Sequence, residues 1–420
     1  MEEKYIIDTN ENRRFLADMT RSLLRFGTRF PAPDGASYYL GDDGTPWVER
    51  PRETWITCRM AHVYSIGAML GASGAPTPDE CRTLAAAAVR GLCGALHDDT
   101  NGGWFAAIGA DGQIAAVKQC YAHAFVILAA SSAMLAGIDG ARELLEDALA
   151  VFEKRFWDDE SKLTFDTWNG DFSELDTYRG LNANMHTVEA FLAAADALQG
   201  EYEFLRERAG LIIGHVAAWA ADNDFRIPEH FSSDWKPDLE CNRDRPDDPF
   251  KPYGATPGHG IEWARLICQW SRSANIAAEE KARYLDIAEK LYCRAKSDAW
   301  NVDGAEGLVY TTDWDGSPVV HDRMHWTLAE AINTSAVLYR LTGKSCYADD
   351  YAMYLRYLDC VVLDHETGSW FHQLDRCNML KNTVWPGKSD IYHALQATLI
   401  PYYRYDVSIA SAVKRGLILD

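Results

Sequence analysis

Residues 254–266 read GATPGHGIEWARL, and this stretch shows the pattern that the rest of the chain repeats. It carries the signals of a helix start: Thr256 can cap the helix, and Pro257 suits the first helical position, where an N–H would have had no partner. His259 then falls in the first turn, three residues before Glu262 and on the same face. The sequence therefore predicts a helix that begins with an ionisable pair.

Five other stretches also lead into a predicted helix that has a histidine near its start. The six histidines are His62, His123, His186, His259, His325 and His393. They follow one another at intervals of 61 to 73 residues. Such an interval fits one helical hairpin with its loops and is longer than the roughly 20 to 50 residues of most solenoid repeats. The alternative is that they are unrelated core or capping residues.

Short stretches rich in Gly, Asp and Trp separate the helical segments, and they are typical of turns and small β-hairpins. Six helical hairpins can close into a ring, with six inner helices and six outer helices. We therefore predict an all-α fold, an (α/α)₆ barrel with short β-hairpin loops at one mouth. No linker-like segment divides the chain, so we expect a single domain over residues 1–420.

The composition excludes several classes of function. The chain has 420 residues and a net charge of −21, which repels nucleic acid and anionic membrane surfaces. It has no apolar run of the roughly 18 residues that a membrane-spanning helix needs, and its N-terminus lacks the features of a signal peptide. The ten cysteines form no CxxC pair, so we expect reduced, mostly buried thiols in a cytoplasmic protein.

Two of the histidines share the motif H-x-x-E, which suits proton transfer. Glu189 follows His186 and Glu262 follows His259, in each case about one helical turn later. A carboxylate can accept an imidazole N–H, fix the tautomer and raise the basicity, whereas a helix N-terminus disfavours the imidazolium. Opposing effects of this kind hold a histidine near neutrality, where acid–base catalysis is most efficient. The competing interpretation is a surface hydrogen bond without chemistry.

The region of these helix starts also suits a sugar. Asp390 precedes His393 by three residues, on what we predict to be one helical face, and Arg59 lies on the first inner helix. The chain has 14 Trp and 20 Tyr. Aromatic faces stacked on sugar C–H groups, with Arg, Asn and Gln side chains binding hydroxyls, are typical of carbohydrate pockets. Core packing is the alternative role of the aromatic residues.

Other chemistries fit less well. His321 and His325 have the spacing of two metal ligands, but no HExxH motif or acidic cluster accompanies them. The chain lacks a GxSxG nucleophile elbow and a P-loop. Two alternatives of other classes stay open: a non-catalytic sugar-binding protein, and a glycoside hydrolase on the same barrel. The candidate carboxylates of the hydrolase are Glu189, Glu262, Glu330 and Asp390.

Five motifs carry a family resemblance when they are taken together. They are RxxH within ITCRMAHVYS (56–65), NANMHxVEAF (182–191), GxTPGHxIEWxRL (254–266), GLVYTxDWDGxPV (307–319) and WxGKxDIYH (385–393). Together they resemble the N-acylglucosamine 2-epimerase superfamily, and within it the branch of D-mannose and sulfoquinovose isomerases. The resemblance extends from about Phe26 to Pro401.

This resemblance implies an (α/α)₆ barrel and catalysis without a metal or cofactor, although some epimerases of the superfamily bind ATP as an effector. It implies that His259 and His393 are the catalytic residues. The substrate-binding positions that it implies are Trp55, Arg59, Tyr121, Asn184, His186, Glu262 and Gln373.

The implied reaction interconverts an aldose and a ketose through a cis-enediol. The pyranose opens with proton delivery to the ring oxygen, a base takes the C2 proton, and C1 is then protonated. We assign His393 as the C2/C1 proton shuttle and His259 as the ring-opening acid–base, oriented by Glu262, although the two roles can be exchanged. Proton delivery from opposite faces would give 2-epimerisation instead.

A neutral sugar is the preferred substrate, because Pro249 and Lys251 stand where we would expect arginines in a sulfonate-binding sequence. We therefore expect interconversion of D-mannose and D-fructose, with D-lyxose and D-xylulose as a side pair. Arg243, Arg245 and Lys251 keep a sulfoquinovose isomerase as an alternative. The expected partner is a monosaccharide, with no nucleic acid and no membrane, and the protein is a monomer or a homo-oligomer.

Overall fold

Helices form most of the computed structural model, which describes residues 2–71 and 74–419. The α-helices in these residues are α1 (Asn10–Phe26), α2 (Thr54–Leu70), α3 (Pro78–Cys93), α4 (Cys120–Ala136), α5 (Ala141–Arg155), α6 (Leu181–Leu198), α7 (Phe204–Asp222), α8 (Pro257–Ser273), α9 (Ala278–Ala299), α10 (His325–Thr342), α11 (Ser345–Tyr357), α12 (Tyr392–Leu399) and α13 (Ile409–Lys414).

Six of these helices form an inner ring. Helices α2, α4, α6, α8, α10 and α12 each pack against the next, and α12 packs back against α2, so the ring is closed. Helices α3, α5, α7, α9 and α11 each pack on the inner helix that precedes them in the chain, and α1 packs on α12. This arrangement confirms the predicted (α/α)₆ barrel.

The inner helices are covered on every side, which explains their composition. Every residue of α2 from Thr54 to Ala68 is buried, the polar ones included. A helix that is buried all round has no polar stripe for solvent, whereas an outer helix such as α1 buries one face and exposes the other. The polar residues of the inner helices must therefore find their partners inside the barrel.

The sixth pair of helices is assembled from the two ends of the chain. Helix α1 precedes the first inner helix in sequence but packs on α12, the last one. A buried hydrogen bond of 2.7 Å from Thr20 Oγ1 to Thr398 Oγ1 joins the two. The six predicted hairpins are thus five sequential hairpins and one pair that forms when the ring closes. Helix α13 contacts α2, α4 and α6 near their C-terminal ends.

Short antiparallel strands surround the N-terminal end of the inner ring, as predicted. Strands β3, β6, β10 and β14 each run directly into an inner helix. The strands in the described residues are β1 (Tyr39–Leu40), β2 (Pro46–Trp47), β3 (Arg52–Glu53), β4 (Ala107–Ile108), β5 (Ile114–Ala115), β6 (Lys118–Gln119), β7 (Trp157–Asp158), β8 (Leu163–Thr164), β9 (Thr167–Trp168), β10 (Arg179–Gly180), β11 (His230–Phe231), β12 (Thr311–Thr312), β13 (Pro318–Val320), β14 (Arg323–Met324) and β15 (Gln373–Leu374). They pair as β1–β2, β3–β4–β5, β6–β9, β7–β8, β10–β11, β12–β13 and β14–β15.

The six repeated histidines do not occupy equivalent positions. His325 is the first residue of α10, whereas His62 lies more than two turns into α2. His123 Nδ1 donates to the Gln119 carbonyl at 2.7 Å, and its Nε2 accepts from the Trp104 N–H at 3.1 Å. His123 is therefore a structural residue, and the repeat identified the architecture better than it identified a site.

The cysteines differ from the expectation that most are buried. Cys58, Cys81, Cys120 and Cys268 are buried, Cys241 is half-buried, and Cys93, Cys293, Cys346, Cys360 and Cys377 are exposed. Three of the exposed cysteines lie on the outer helices α3, α9 and α11. An amphipathic helix places such residues on its outward face although its sequence has an apolar pattern.

One continuous apolar core includes side chains from Tyr5 to Val413. A single domain over residues 1–420 stays a prediction. Across residues 2–71 and 74–419, none of the helices has both the length and the apolar character that a bilayer crossing requires.

We expect that Leu23→Ala weakens the closure of the ring. Leu23 is fully buried on α1, and truncation of such a side chain should lower the free energy of unfolding by about 2–5 kcal/mol. Arg14→Ala, at an exposed position of the same helix, should change it by less than about 0.5 kcal/mol. Urea titrations followed by circular dichroism compare the two variants. Equal effects would contradict the packing of α1 on the ring.

Candidate active site

A cavity opens at the N-terminal end of the inner ring, where the strands surround it. The space within it, including its open mouth, is about 590 Å³. Seven of the residues that the sequence predicted line this cavity together: Trp55, Arg59, Tyr121, His186, His259, Glu262 and His393. Side chains from five inner helices therefore meet around one opening.

His259 is held by a carboxylate that the sequence did not reveal. Its Nδ1 lies 2.9 Å from Glu229 Oε1, and both side chains are buried. Glu229 belongs to the extended segment before β11. The prediction that Glu262 orients His259 is wrong, because the loop from α7 brings Glu229 closer to the imidazole than the next turn of its own helix does. With Nδ1 donating to Glu229, Nε2 is the nitrogen left for a ligand.

His393 also has a different partner from the predicted one. Its Nδ1 lies 3.3 Å from Glu330 Oε1, on the neighbouring inner helix α10. Asp390 does not share a helical face with it, because α12 begins only at Tyr392, and Asp390 instead accepts the N–H of Tyr392 at 3.1 Å. Burial lowers the pKa of His393, although the Glu330 carboxylate opposes this effect. His393 is therefore a neutral imidazole at neutral pH.

The two imidazoles share one neighbour, the indole of Trp326. Its ring centroid lies 5.0 Å from that of His259 and 5.9 Å from that of His393. Both histidines and Trp326 line the same cavity. Two side chains that are far apart in sequence thus face a single space.

Arg59 brings the positive charge of the cavity wall. Its guanidinium donates to Asp390 Oδ2 at 2.9 Å and to the Tyr121 hydroxyl at 2.9 Å. It also lies over the rings of Trp55 and Phe125, at 4.7 and 4.6 Å from their centroids. Burial alone would raise the pKa of Asp390, but Arg59 and the nearby imidazoles outweigh burial and hold it below its usual range. The pair is therefore ionised and fixed in place.

A cluster of charged side chains lies at the inner end of the cavity. Arg265 Nε donates to Glu330 Oε2 at 2.6 Å, and its terminal nitrogen lies 3.6 Å from Glu262 and 4.0 Å from Glu189. Burial, and then the charge of Glu330, raises the pKa of Glu262 well above its usual value. Burial would also raise the pKa of Glu189, but His186 and Arg265 reverse the shift and lower it.

His186 completes the wall on the side of α6. Its Nδ1 lies 3.5 Å from Glu189 Oε2, so the predicted pairing within the motif is present. Burial lowers the pKa of His186 to about 4, which leaves the ring neutral. His186, Glu189 and Glu262 offer ligand atoms that lie within 4.8 Å of one another, as a metal ion would require. The Arg265 guanidinium already provides the positive charge at this point, so the geometry does not favour a cation there.

Two predicted binding residues do not reach the cavity. Asn184 Oδ1 accepts the N–H of Thr164 at 3.0 Å, and its Nδ2 donates to the Gly180 carbonyl at 2.9 Å. Gln373 donates to Asp322 at 2.6 Å and accepts the N–H of Val384 at 2.8 Å. Both amides bind neighbouring backbone groups or side chains, and they support the segments that surround the cavity without lining it. The amide of Asn182 lines the cavity instead.

Sequence reasoning missed several cavity residues. They include His372, Tyr310 and Trp326. His372 stacks on His325, which the histidine repeat had identified, with ring centroids 3.8 Å apart. Trp326 directly follows His325, one of the six repeated histidines. That position was the feature of the sequence from which Trp326 could have been identified. His321 donates to Asp303 at 2.8 Å and does not line the cavity, whereas His325 does. The two histidines therefore do not form a metal-binding pair.

Two of the basic residues that favoured a sulfonate, Arg243 and Arg245, lie away from this cavity, whereas Lys251 lines an adjoining pocket that shares four lining residues with it. The side chains of Arg243 and Arg245 are 61% and 67% exposed, and Arg243 pairs with Glu240. The Lys251 ammonium lies 3.6 Å from the centroid of the Tyr178 ring. In the part of the chain that the structure describes, Arg59 is the one guanidinium on the cavity wall, and Asp390 already neutralises it.

Comparison with known proteins agrees with this picture. The family model for N-acylglucosamine 2-epimerase (GlcNAc 2-epimerase) matches residues 35–397. A D-mannose isomerase from Thermobifida fusca is 41% identical over 406 residues, which cover 96% of this chain and 97% of that protein. A D-mannose isomerase from Pseudomonas cannabina pv. alisalensis is 40% identical over 375 residues, 89% of each chain. A crystal structure of D-mannose isomerase aligns with a TM-score of 0.84 at 27% identity and covers 92% of this chain and 97% of that one.

Two variants of the charged cluster should differ in stability. Glu330→Gln removes the 2.6 Å partner of Arg265 and should lower the free energy of unfolding by about 3 kcal/mol or more. The folded state raises the pKa of Glu262 above its unfolded value of 4.5. The folded parent protein therefore loses stability as the pH rises from the unfolded towards the folded pKa of this group. Glu262→Gln cannot lose a proton there, so the stability of this variant relative to the parent protein should increase with pH. Urea titrations at several pH values test both variants, and equal destabilisation at alkaline pH would contradict the assignment.

Proposed function

The chain belongs to the N-acylglucosamine 2-epimerase family, and from this premise we propose that it is an aldose–ketose isomerase that interconverts D-mannose and D-fructose. The observation that carries the proposal is the pair of imidazoles, each held through Nδ1 by a carboxylate and each facing one cavity. The two relatives at 40% and 41% identity, both named D-mannose isomerase, support this choice of reaction and sugar.

Ring opening is the first step, and we assign it to His259. Its Nε2 takes the proton of the anomeric hydroxyl and returns a proton to the ring oxygen, so that the C1–O5 bond breaks and C1 becomes an aldehyde. Glu229 stabilises the imidazolium that forms between these two transfers, because it accepts the Nδ1–H at 2.9 Å. The flat indole of Trp326 lies beside this imidazole and offers a surface for the C–H face of the sugar.

Hydrogen transfer follows, and we assign it to His393. Its neutral Nε2 takes the proton from C2, the electrons of the C–H bond form the C1=C2 bond, and the aldehyde oxygen gains negative charge. The proton of the C2 hydroxyl then passes to O1, and the imidazolium returns its proton to C1, which leaves a ketone at C2. The N–H groups of Arg59 on the cavity wall can donate hydrogen bonds to the sugar oxygens on which charge develops during this step.

The geometry supports this reaction over hydrolysis and over a sulfonated sugar. A hydrolase needs one carboxyl group as acid and a second as base or nucleophile on either side of the bond to be cleaved. Here Asp390 is bound to Arg59 and Glu330 to Arg265, and the carboxyl groups of Glu189 and Glu262 both lie within 4.0 Å of the Arg265 guanidinium at the inner end of the cavity. A sulfonate would need a free cation. Among the residues described, the cavity wall itself carries Arg59, which is paired with Asp390, while the Lys251 ammonium lies in the adjoining pocket over the Tyr178 ring. A neutral monosaccharide suits these contacts better, and D-lyxose is the expected side substrate.

We place the protein in the cytoplasm as part of the same proposal. All ten cysteines are free thiols, including five that are exposed. Exposed thiols stay reduced in the cytoplasm, whereas oxidising compartments favour disulfides.

His259→Ala and His393→Ala should each lower kcat/KM for D-mannose by about 10²–10⁴-fold, because each removes a general acid–base. His365→Ala is the matched control, since this histidine is 64% exposed at its side chain and lies outside the cavity. Fructose formation from D-mannose in D₂O, followed by NMR, gives the rates and the deuterium content at C1. No fructose and no exchange in the parent protein would refute the proposed activity, and losses below about tenfold would refute the assigned roles.

The pH profile should report the state of His393. Burial lowers its pKa below the ordinary value of 6.5, and the base must be unprotonated, so kcat/KM should fall with decreasing pH only below pH 6.5. Glu330→Gln removes a negative charge that favours the imidazolium, so it should move the acid limb to still lower pH. Initial rates across a pH series measure both profiles. The assignment would be contradicted if the rate of the parent protein already fell at a pH above 6.5, or if the acid limb of Glu330→Gln moved to higher pH.

A further inference from the structure

Arg265 lies below the sugar cavity and does not line it. It is buried on α8, two residues beyond Trp263 and one turn along from Glu262. Its guanidinium reaches sideways to two neighbouring inner helices, to Glu330 on α10 at 2.6 Å and towards Glu189 on α6 at 4.0 Å. No step of the mechanism above uses this residue, although it binds Glu330, the carboxylate that holds His393.

We propose that Arg265 is a positioning residue of the isomerase: its guanidinium is the shared counter-ion of Glu330, which holds the His393 imidazole, and of Glu189, which lies beside His186. The proposal rests on the proposed isomerase function and extends it to a side chain that does not contact the sugar. Glu330 Oε2 binds Arg265 while its Oε1 binds His393, so one carboxylate bridges the cation and the base. Glu189 similarly lies between Arg265 and His186.

Charge balance explains why the cation is needed. Three carboxyl groups meet at this depth with one guanidinium among them. Burial and the charge of Glu330 raise the pKa of Glu262, whereas the pKa values of Glu189 and Glu330 are lowered, so the negative charge of the cluster falls mainly on Glu189 and Glu330. The planar fork of arginine can serve acceptors on two sides at once, whereas a lysine ammonium presents a single point of charge. Arginine therefore suits this position better than lysine.

Loss of the guanidinium would change the state of His393. An unpaired buried carboxylate is costly. Glu330 would keep the Asn333 amide at 3.4 Å and the His393 imidazole at 3.3 Å, and it would favour the charged form of the imidazole. The groups that face His393 are Glu330 and His325 of α10, His186 of α6, Arg59 of α2, and Asp390 and Tyr392 beside it. Arg59 disfavours the imidazolium, but it is committed to Asp390. An imidazolium cannot take the C2 proton, so activity would require higher pH.

A second chamber lies beneath Arg265 and gives a direct test. It is bounded by Arg265, Gln269 and Gln396 and by the segment 404–410, part of which is exposed. Ser132 Oγ donates to the Leu128 carbonyl, so it accepts the Nδ1–H of His62 at 2.7 Å. The Nε2 of His62 and the Oε1 of Gln396 then have no hydrogen-bond partner among the residues described. The chamber adjoins the space that the Arg265 guanidinium occupies in the parent protein. In Arg265→Ala, a guanidinium ion could enter that space through the chamber.

The experiment compares the parent protein with Arg265→Ala, Arg265→Lys and Arg272→Ala, the last being an exposed arginine of the same helix. For each, kcat and KM for D-mannose are measured across a pH series, with and without a low, non-denaturing concentration of guanidinium chloride. Sodium chloride and urea at the same concentration are the controls. Circular dichroism confirms folding. Nitrogen-15 NMR of the histidine rings follows the titration of His393 independently of turnover.

We expect Arg265→Ala to lower kcat at neutral pH by roughly 10- to 100-fold, a range typical of residues that orient a catalytic ligand. KM should stay nearly unchanged, since the side chain does not contact the sugar. The acid limb and the His393 titration should both move to higher pH. Guanidinium, but not urea or sodium chloride, should restore part of the rate, and Arg265→Lys should fall between the parent and the alanine variant.

Several results would overturn the proposal. One is a parent-like pH profile in Arg265→Ala, and another is a loss confined to KM. Failure of guanidinium to raise the rate of a folded Arg265→Ala protein would also refute it. If the alanine variant does not fold, an unshifted His393 titration in Arg265→Lys would refute the proposal in its place. Absence of fructose in the parent protein would refute the isomerase function, whereas the NMR titration would still decide whether Arg265 controls the imidazole.

Discussion

The ion pair between Arg265 and Glu330 sits at the centre of the barrel, and the rest of the site depends on the charge balance that it establishes. A charge that is removed from water must be paired, because the alternative costs several kcal/mol. The inner helices bury carboxylates on three neighbouring helices at the same depth. Glu330 accepts from Arg265 and from His393 Nδ1, and Glu189 accepts from the Tyr392 hydroxyl and the Gln396 amide. The resulting network fixes the His393 imidazole with its other nitrogen towards the cavity.

The barrel architecture makes such a network possible, because all six inner helices begin at the same end. Partners therefore come from distant parts of the chain. Arg59 and Asp390 are 331 residues apart in sequence yet 2.9 Å apart in space. The strand pairs that precede the inner helices hold the first turns in place and line the entrance. Polar residues gather at this entrance, whereas the apolar core contains the four buried cysteines.

Ring closure also connects the ends of the chain to the site. Helix α12 is short and carries His393 in its first turn, and its outer partner is α1 from the other end of the sequence. The position of a catalytic imidazole therefore depends on packing between the first and last helices. At the opposite end, α13 covers α2, α4 and α6, which leaves a small polar chamber beneath the charged cluster.

The sequence by itself determined the class of fold and the two helices that carry His259 and His393 in their first turn. These features depend on local physics: apolar periodicity, the fixed φ of Pro257 in the first turn of α8, and the regular interval between helix starts. Only the tertiary structure decided which carboxylate serves which histidine. Spacing along one helix suggested Glu262 for His259, but a residue on an adjacent segment, Glu229, approaches the imidazole more closely.

The sequence also could not decide which of two asparagines on α6, Asn182 and Asn184, faces the cavity. A turn of about 200° separates their side chains on a helix of 3.6 residues per turn, and packing alone settled that the first faces the sugar cavity and the second a loop.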